Sequence, residues 1–304
     1  MLKRYLLLQA TLLLSCITPA IAENITPASA GDGDGAQQQI QSLEWVINTA
    51  PPFHISDGFH AGLGICDALI DVIDKHLPEL ESNRYVLPQS RIRKQFQRKA
   101  NQCFPCMIYR PTPGDTIQSE PTHFYYPHGI ITTSEKGREI QALYGNPVRL
   151  VSLINDRSFR FGYPDGRHYP AVQNILDQAS QNDISRINLT GENATVAILS
   201  MIKKGRLDYT LEYQILHNFD KAENFSSDLV FLPIAETRGQ HVLGAIGCTN
   251  SEWGQTAIQK INQVLPLVRQ HPDFLRVLKL WFNDDPESGP YLELLKERVW
   301  QADE

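Results

Sequence analysis

Extended and helical segments alternate along the chain, and this alternation most constrains its fold. Two stretches with helical spacing separate apolar extended segments between residues 44 and 133, and a similar series resumes after residue 148. Over residues 64–77 the apolar side chains recur every three or four positions, as they do on one face of a helix. Strands that alternate with helices favour an α/β fold with mainly parallel sheets.

The same patterns predict the bounds of most elements. Extended segments are expected over residues 44–50, 85–87, 104–109, 124–133, 148–154, 160–163, 185–189, 208–211, 229–232 and 241–248. Helices are expected over residues 64–77, 91–100, 170–179, 194–204, 213–219, 252–268, 272–282 and 290–301. Residues 110–122 are rich in Pro and Thr and predict a loop.

The first 22 residues have the three parts of a secretory signal peptide. A short positive region precedes an apolar run over residues 5–17, and a small-x-small cleavage site ends at Ala22. The apolar run is shorter than the roughly 20 residues that a membrane-spanning helix needs. We therefore expect a cleaved signal peptide over residues 1–22, with lipidation of Cys16 as the alternative.

Composition narrows the class of protein further. Residues 23–42 are rich in Gly, Ala, Gln and Ser without periodicity, and they predict a disordered leader. The chain carries 28 Lys and Arg against 34 Asp and Glu, with the charges dispersed. A mildly acidic chain without a basic patch is not expected to bind nucleic acid. No pattern in it indicates a metal or another cofactor.

Four cysteines follow the predicted cleavage site, and their spacing leaves their pairing open. They are Cys66, Cys103, Cys106 and Cys248, which allow three complete pairings in an oxidising compartment. Cys103 and Cys106 have the spacing of a redox or zinc half-site, but no second such pair accompanies them. Structural disulfides or buried thiols are therefore expected instead of a metal or redox centre.

Several side chains at strand ends suit ligand contact, because ligands of open α/β folds collect at the carboxyl ends of the strands. Phe53 follows two prolines after the first strand and is either a stacking wall for a ligand or a core aromatic. Tyr109 and Arg110 end the third strand, with packing and solvation as the alternatives. Arg91 begins a helix, where the dipole disfavours a cation, and that mismatch favours a binding role.

A further candidate is the strand-to-helix turn at residues 190–193. Backbone N–H groups at the start of a helix are free to bind an anion or a carbonyl. Thr190 and Asn193 are therefore candidate ligand contacts, with ordinary capping of the helix by Thr190 as the alternative.

Five segments, in this order and spacing, resemble the bacterial periplasmic solute-binding proteins of family 3, the polar-amino-acid type. The resemblance runs from residue 43 to about residue 283 and is closest to an uncharacterised branch of that family. The segments that carry it are Thr49–Phe53, Gly62–Asp67, Phe124–Pro127, Gly205–Tyr213 and the closing residues Trp253, Ile261, Asn262 and Trp281.

The resemblance implies a two-lobed type II periplasmic-binding-protein-like fold with two crossover strands. Lobe one would hold residues 43–128 and 235–304, and lobe two would hold residues 129–234. It also implies a monomer in the periplasm that captures a small polar solute in the interlobe cleft. The solute would pass to an ABC importer permease or be reported to a membrane sensor.

The resemblance adds two candidate contacts and one departure. Glu212 falls near the acidic position that pairs with a ligand ammonium group, and Tyr125 lies near the first crossover. In amino-acid binders a Thr-Pro-Glu-Arg segment supplies an Arg that forks onto the ligand carboxylate. Here Thr112–Asp115 places Asp115 where that Arg is expected. An ordinary α-amino acid is therefore disfavoured, and an amine or a sugar-like ligand is favoured, although Arg110 or Arg91 could substitute.

The resemblance also implies a disulfide between Cys103 and Cys248. In the resembled fold the strand that returns after the second crossover lies beside the third strand and runs antiparallel to it. The start of one strand then neighbours the end of the other. Cys106 is the competing partner, and Cys66 would stay a thiol or pair with Cys106.

Other functions remain as alternatives to solute binding. The same scaffold hosts enzymes, so a hydrolase or dehydratase is the principal alternative, and a partner-binding module is a third. Because no nucleophile elbow, paired-acid motif or metal signature occurs in the sequence, we expect a binding protein without catalytic residues.

Overall fold

The computed structural model describes residues 39–179, 186–191, 193–282 and 289–300. The expected signal peptide over residues 1–22, the lipidation site Cys16 and most of the expected leader over 23–42 lie outside these ranges. Within them, no helix has both the length and the apolar character needed to cross a membrane.

Two sheets form the framework. The first is six-stranded, runs in the order β2-β1-β3-β11-β4, and has β5 paired with β11 beside β4. Its strands are β1 (Ser42–Ile47), β2 (Glu81–Val86), β3 (Cys103–Ile108), β4 (Thr116–Gln118), β5 (His123–Tyr125) and β11 (Val242–Thr249). We call the part of the chain built on this sheet lobe one.

The second sheet is five-stranded and runs in the order β10-β6-β9-β7-β8. Its strands are β6 (Gly129–Thr133), β7 (Phe161–Pro164), β8 (Arg186–Leu189), β9 (Tyr209–Glu212) and β10 (Leu229–Leu232). We call the part built on it lobe two. The chain passes from the first sheet to the second between Tyr125 and Gly129, and it returns between Leu232 and Val242.

Helices cover both sheets. They are α1 (Ile65–His76), α2 (Gln89–Gln97), α3 (Ser134–Tyr144), α4 (Leu150–Leu153), α5 (Gln173–Ala179), α6 (Ala194–Lys203), α7 (Gln214–Glu223), α8 (Glu252–Gln270), α9 (Pro272–Trp281) and α10 (Tyr291–Leu295). The described chain ends in one π-helical turn, Lys296–Trp300. The α/β fold expected from the alternating pattern is therefore present.

The sheets are mixed, which differs from the expectation of mainly parallel strands. Strand β1 pairs in parallel with β2 and β3, and β7 pairs in parallel with β8 and β9. Strands β6 and β11, which follow the two passages between the sheets, pair antiparallel with all their neighbours. The first strand after the passage into lobe two, like the first strand after the return to lobe one, therefore runs opposite to its neighbours in its sheet.

Two local predictions between residues 134 and 154 were wrong. Residues 148–154, which alternate apolar and polar, form the short helix α4 instead of a strand. Helix α3 was missed because Gly137 and several charged residues obscure its apolar face. It is nevertheless defined by its ends: the Thr133 side chain accepts a hydrogen bond from the Lys136 N–H, and Gly145 follows at φ +90°.

Two disulfides bind lobe one together. Strand β11 runs antiparallel to β3 and places Cys248 directly opposite Cys103, where the two residues are bonded with Cα atoms 4.0 Å apart. This is the pairing implied by the resemblance. The second bond joins Cys66, in the first turn of α1, to Cys106 on β3. Helix α1 is therefore fixed to the sheet both by apolar packing and by a covalent bond.

Candidate functional site

A cavity of about 690 Å³ lies between the two lobes and is the candidate site. Lobe one contributes the loop after β1, the start of α2, one face of β3 and the loop up to β4. Lobe two contributes the turns that follow β7 and β8. The most informative lining residues are Phe53, Phe104, Arg110, Tyr125, Arg167, Thr190 and Tyr213. A cleft of this size suits a small molecule.

Three aromatic rings meet where the lobes touch. Phe53 packs edge-on against Tyr125 and Tyr213, with ring centroids 5.7 and 6.3 Å away. Tyr125 ends β5 in lobe one, whereas Tyr213 directly follows β9 in lobe two and stacks on Tyr125. We call these three rings the aromatic floor. Because its members come from both lobes, the floor is assembled only when the lobes are together.

The backbone around Phe53 is held closely by the start of α1. The Phe53 carbonyl accepts a hydrogen bond from the Cys66 N–H at 2.9 Å. A Cβ atom on Gly64 would lie 2.4 Å from that carbonyl oxygen, so only glycine permits this close approach. Asp67 also accepts bonds from the His54 ring at 2.7 Å and from the Ile55 N–H at 2.9 Å. These contacts fix where the Phe53 ring lies.

An ion pair lies beside the floor in lobe two. Arg167, in the turn after β7, donates from Nη2 to the carboxylate of Glu212, whose side chain is only 2 % exposed. The Arg167 guanidinium also lies over the Tyr213 ring, 5.5 Å from its centroid. Burial raises the pKa of Glu212, and the positive charge of Arg167 opposes that shift. The pair therefore fixes Arg167 at the cavity wall.

Several buried polar atoms around the floor have no hydrogen-bond partner among the described residues. They include Glu212 Oε1 and both ring nitrogens of His128 and, on four further residues, the hydroxyls of Tyr125, Tyr213 and Thr49 and Nε of Arg167. All four residues line the cavity. Burial raises the pKa of both tyrosines, so both hydroxyls stay protonated at neutral pH and are able to donate. Buried donors without partners are rare because each costs free energy, and they cluster where a ligand group completes them.

Positive charge gathers at another part of the cavity wall. Burial, followed by the guanidinium groups of Arg110 and Arg93, lowers the pKa of His168. Arg93 also donates from Nη2 to the Gly166 carbonyl at 2.8 Å, which connects α2 of lobe one with lobe two. This wall therefore carries two cations beside a neutral histidine and holds one contact between the lobes.

Four of the eight predicted ligand contacts line the cavity: Phe53, Arg110, Tyr125 and Thr190. Glu212 is not a lining residue and reaches the wall only through Arg167. The other three are not among the lining residues. Arg91 is an exposed residue of α2, Tyr109 donates its N–H to the Leu243 carbonyl at 2.8 Å, and Asn193 is the exposed N-cap of α6. Asp115, at the departure from the motif, does line the cavity.

Arg167 and Tyr213 are among the lining residues that sequence reasoning missed. Arg167 lies three residues after β7 and Tyr213 directly after β9, so both follow carboxyl ends of strands in lobe two. Their position after the carboxyl ends of strands is the feature of the sequence that could have identified them, because ligands of open α/β folds collect there.

Solved structures with this arrangement of lobes are periplasmic binding proteins and their relatives. An ancestral arginine-binding protein bound to arginine has a TM-score of 0.60 and 15 % identity, and the match covers 80 % of this chain and 99 % of that one. An ancestral amino-acid-binding protein, described as a precursor of cyclohexadienyl dehydratase, has a TM-score of 0.60 and 14 % identity, covering 80 % and 96 %. The fold is that of the two-lobed periplasmic binding proteins.

The same two-lobed fold also occurs in a sensor. A histidine kinase sensor domain with similarity to periplasmic binding proteins has a TM-score of 0.59 and 11 % identity, and the match covers 80 % of this chain and 97 % of that one. No protein-family model matches the chain, and no curated protein matches it either. At these identities the likeness establishes the fold, while the ligand must be argued from the cleft.

Proposed function

We propose that this chain is a solute-binding protein that encloses a small polar ligand between its two lobes. The observation that carries the proposal is the group of buried, unpartnered polar atoms on residues that line the cavity in both lobes: Thr49, Tyr125, Arg167 and Tyr213. A ligand that contacts both lobes stabilises the closed arrangement, since its contacts are complete only when the lobes meet.

The proposal includes lobe boundaries near residues 128–129 and 234–235, as the resemblance implies. Strands of the first sheet end at Tyr125 and resume at Val242, and strands of the second span residues 129–232, which supports these boundaries. It also includes a periplasmic location after cleavage at residue 22, and two disulfides suit such an oxidising compartment. We further propose a monomer that serves an ABC importer or a membrane sensor.

A ligand screen followed by a measurement of closure tests the proposed function. Thermal unfolding is followed against a library of amino acids, polyamines, sugars and organic acids. A ligand at 100 times its Kd raises the free energy of unfolding by about 2.7 kcal/mol. The same ligand should reduce the radius of gyration in solution scattering, as lobe closure requires. The proposal fails if no compound stabilises the protein, or if the stabilising compound is converted to product.

A further inference from the structure

Among the described residues that line the cleft, the unpartnered groups at the aromatic floor suit a ligand anion better than an ammonium ion. The Tyr125 and Tyr213 hydroxyls and the Arg167 Nε are all able to donate a hydrogen bond, and none has a partner among the described residues. Glu212, the carboxylate beside the floor, is not a lining residue; one of its oxygens accepts from Arg167, and the other has no partner among the described residues. The unpartnered atoms on the floor residues that line the cavity are therefore groups that can donate.

Charge around the cavity reinforces this bias. Arg93, Arg110 and Arg167 line the cavity together with Asp115 and Asp165. Of the two acids, Asp115 is exposed and Asp165 accepts a hydrogen bond from Asn188 at 3.2 Å. Burial, followed by Arg167, lowers the pKa of His128, which stacks on Tyr213 with centroids 3.8 Å apart. A further cation near the floor would meet the positive charge of Arg167, and the negative charge of Glu212 beside the floor is already compensated by that guanidinium.

One wall of the cavity is apolar. It is formed by Ile92 and Phe96 of α2 and by Phe104 and Met107 of β3. These side chains belong to a small apolar cluster with the buried Val46. Together with the aromatic floor, they offer surface to a planar or aliphatic ligand body.

We propose that the cleft selects an organic acid that has an apolar, ring-bearing body and lacks an ammonium group. The carboxylate would accept hydrogen bonds from the tyrosine hydroxyls and Arg167, and the ring would lie along the apolar wall. The assignment rests on the proposed function and names the ligand class for that site. It differs from the amine or sugar-like ligand that the sequence favours, because Asp115 at the motif position gives no indication of Arg167.

Three probes that share one skeleton isolate the ammonium group. 3-Phenylpropionate carries only the carboxylate, phenethylamine carries only the amine, and phenylalanine carries both. In titration calorimetry at pH 7 we expect 3-phenylpropionate to bind at least tenfold more tightly than phenylalanine, and phenethylamine not to bind. Equal or tighter binding of phenylalanine or phenethylamine overturns the proposal, and so does the absence of binding by all three.

Matched variants locate the effect in the cleft. Tyr213→Phe removes one donor and keeps the ring, so affinity for 3-phenylpropionate should fall about fivefold or more. Arg110→Met should weaken the acid and improve the amine, because it removes a cation from the wall. Arg91→Met, on the exposed part of α2, is the control and should change neither. Equal affinities in Tyr213→Phe, Arg110→Met and the parent protein would overturn the assignment.

The screen separates this assignment from the proposed function. Strong stabilisation by a polyamine, a sugar or an α-amino acid, with none from organic acids, leaves solute binding intact and overturns the organic-acid assignment. Failure of the whole library overturns both.

Discussion

The Tyr125 and Tyr213 rings stack across the junction of the two lobes, with centroids 4.7 Å apart and planes inclined by 22°. One tyrosine belongs to each lobe, and both hydroxyls are buried without a partner among the described residues. The stacking stabilises the closed arrangement, whereas the buried hydroxyls oppose it.

This opposition predicts how the unliganded protein responds to loss of a hydroxyl. Tyr125→Phe and Tyr213→Phe should leave the free energy of unfolding unchanged or raise it by up to about 1 kcal/mol, because stacking is kept and an unpartnered polar group is removed. Urea unfolding of each variant measures the effect. A loss of more than about 1 kcal/mol would show that the hydroxyl has a stabilising partner in the unliganded protein.

The Arg167–Glu212 pair gives a second prediction. Glu212→Leu alone should destabilise the protein by about 3–5 kcal/mol, because it leaves the guanidinium of Arg167 without its carboxylate partner. Adding Arg167→Met should recover much of that loss, since replacing both partners with apolar side chains removes the uncompensated charge. Urea unfolding of the parent, single and double variants measures the loss of unfolding free energy in Glu212→Leu and its recovery in the double variant. If the double variant is less stable than Glu212→Leu, the pair is not acting through charge compensation.

The two disulfides should differ in their contribution to stability. The Cys103–Cys248 bond spans 145 residues of sequence and the Cys66–Cys106 bond spans 40. In the chain-entropy treatment the longer loop contributes about 1 kcal/mol more, out of roughly 4–5 kcal/mol. Unfolding of the two double Cys→Ala variants tests the difference. Peptide mapping without reduction tests the pairing, and a Cys66–Cys103 peptide would contradict it.

Stability should fall in mild acid because of a buried histidine. His123 lies beneath Tyr125, and burial lowers its pKa from the ordinary 6.5 to about 3. The unfolded chain therefore takes up a proton below about pH 6.5 that the folded chain does not, so stability declines as the pH falls from about 6.5 towards 3. His123→Phe should make this decline shallower in urea unfolding between pH 7 and pH 4.5, and His128 and His168, whose pKa burial also lowers, should cause part of what remains. An unchanged slope would mean that other groups cause the decline.

The contact between Arg93 and Gly166 should favour the closed arrangement. Arg93→Met removes a hydrogen bond of 2.8 Å between the lobes, so the unliganded protein should have a larger radius of gyration and ligand affinity should fall several-fold. Arg91→Met, two residues away on the exposed part of α2, is the matched control. Solution scattering of both variants decides the matter, and identical profiles would contradict a role for Arg93 in closure.

The sequence predicted the elements of the fold better than the contents of the cleft. Helix α1 and strand β10 follow from local spacing, and both were placed within one residue of each bound. Helix α3 was missed because Gly137 weakens its helical pattern, and the reason for this glycine lies in packing: a Cβ atom there would lie 2.9 Å from Cγ2 of Val230 on β10.

The site depends on pairs of residues that are distant in sequence. Arg167 lies 45 residues before Glu212, and Tyr125 lies 88 residues before Tyr213. The spacing of residues along the chain does not indicate which of them pair in space, although each of these residues lies at or shortly after the end of a strand. The sequence indicates Glu212 as a charged candidate for ligand contact, whereas the structure shows that its charge pairs with Arg167.

The bond between Cys66 and Cys106 has a consequence for how the cleft recognises a ligand. It holds the first turn of α1 against β3, and α1 in turn holds the Phe53 carbonyl and, through Asp67, the backbone of Ile55. This half of the cleft is therefore preorganised, so little conformational entropy is lost there on binding. Lobe one would then discriminate between ligands by the fixed shape of its surface, and conformational adaptation to the ligand would occur in lobe two.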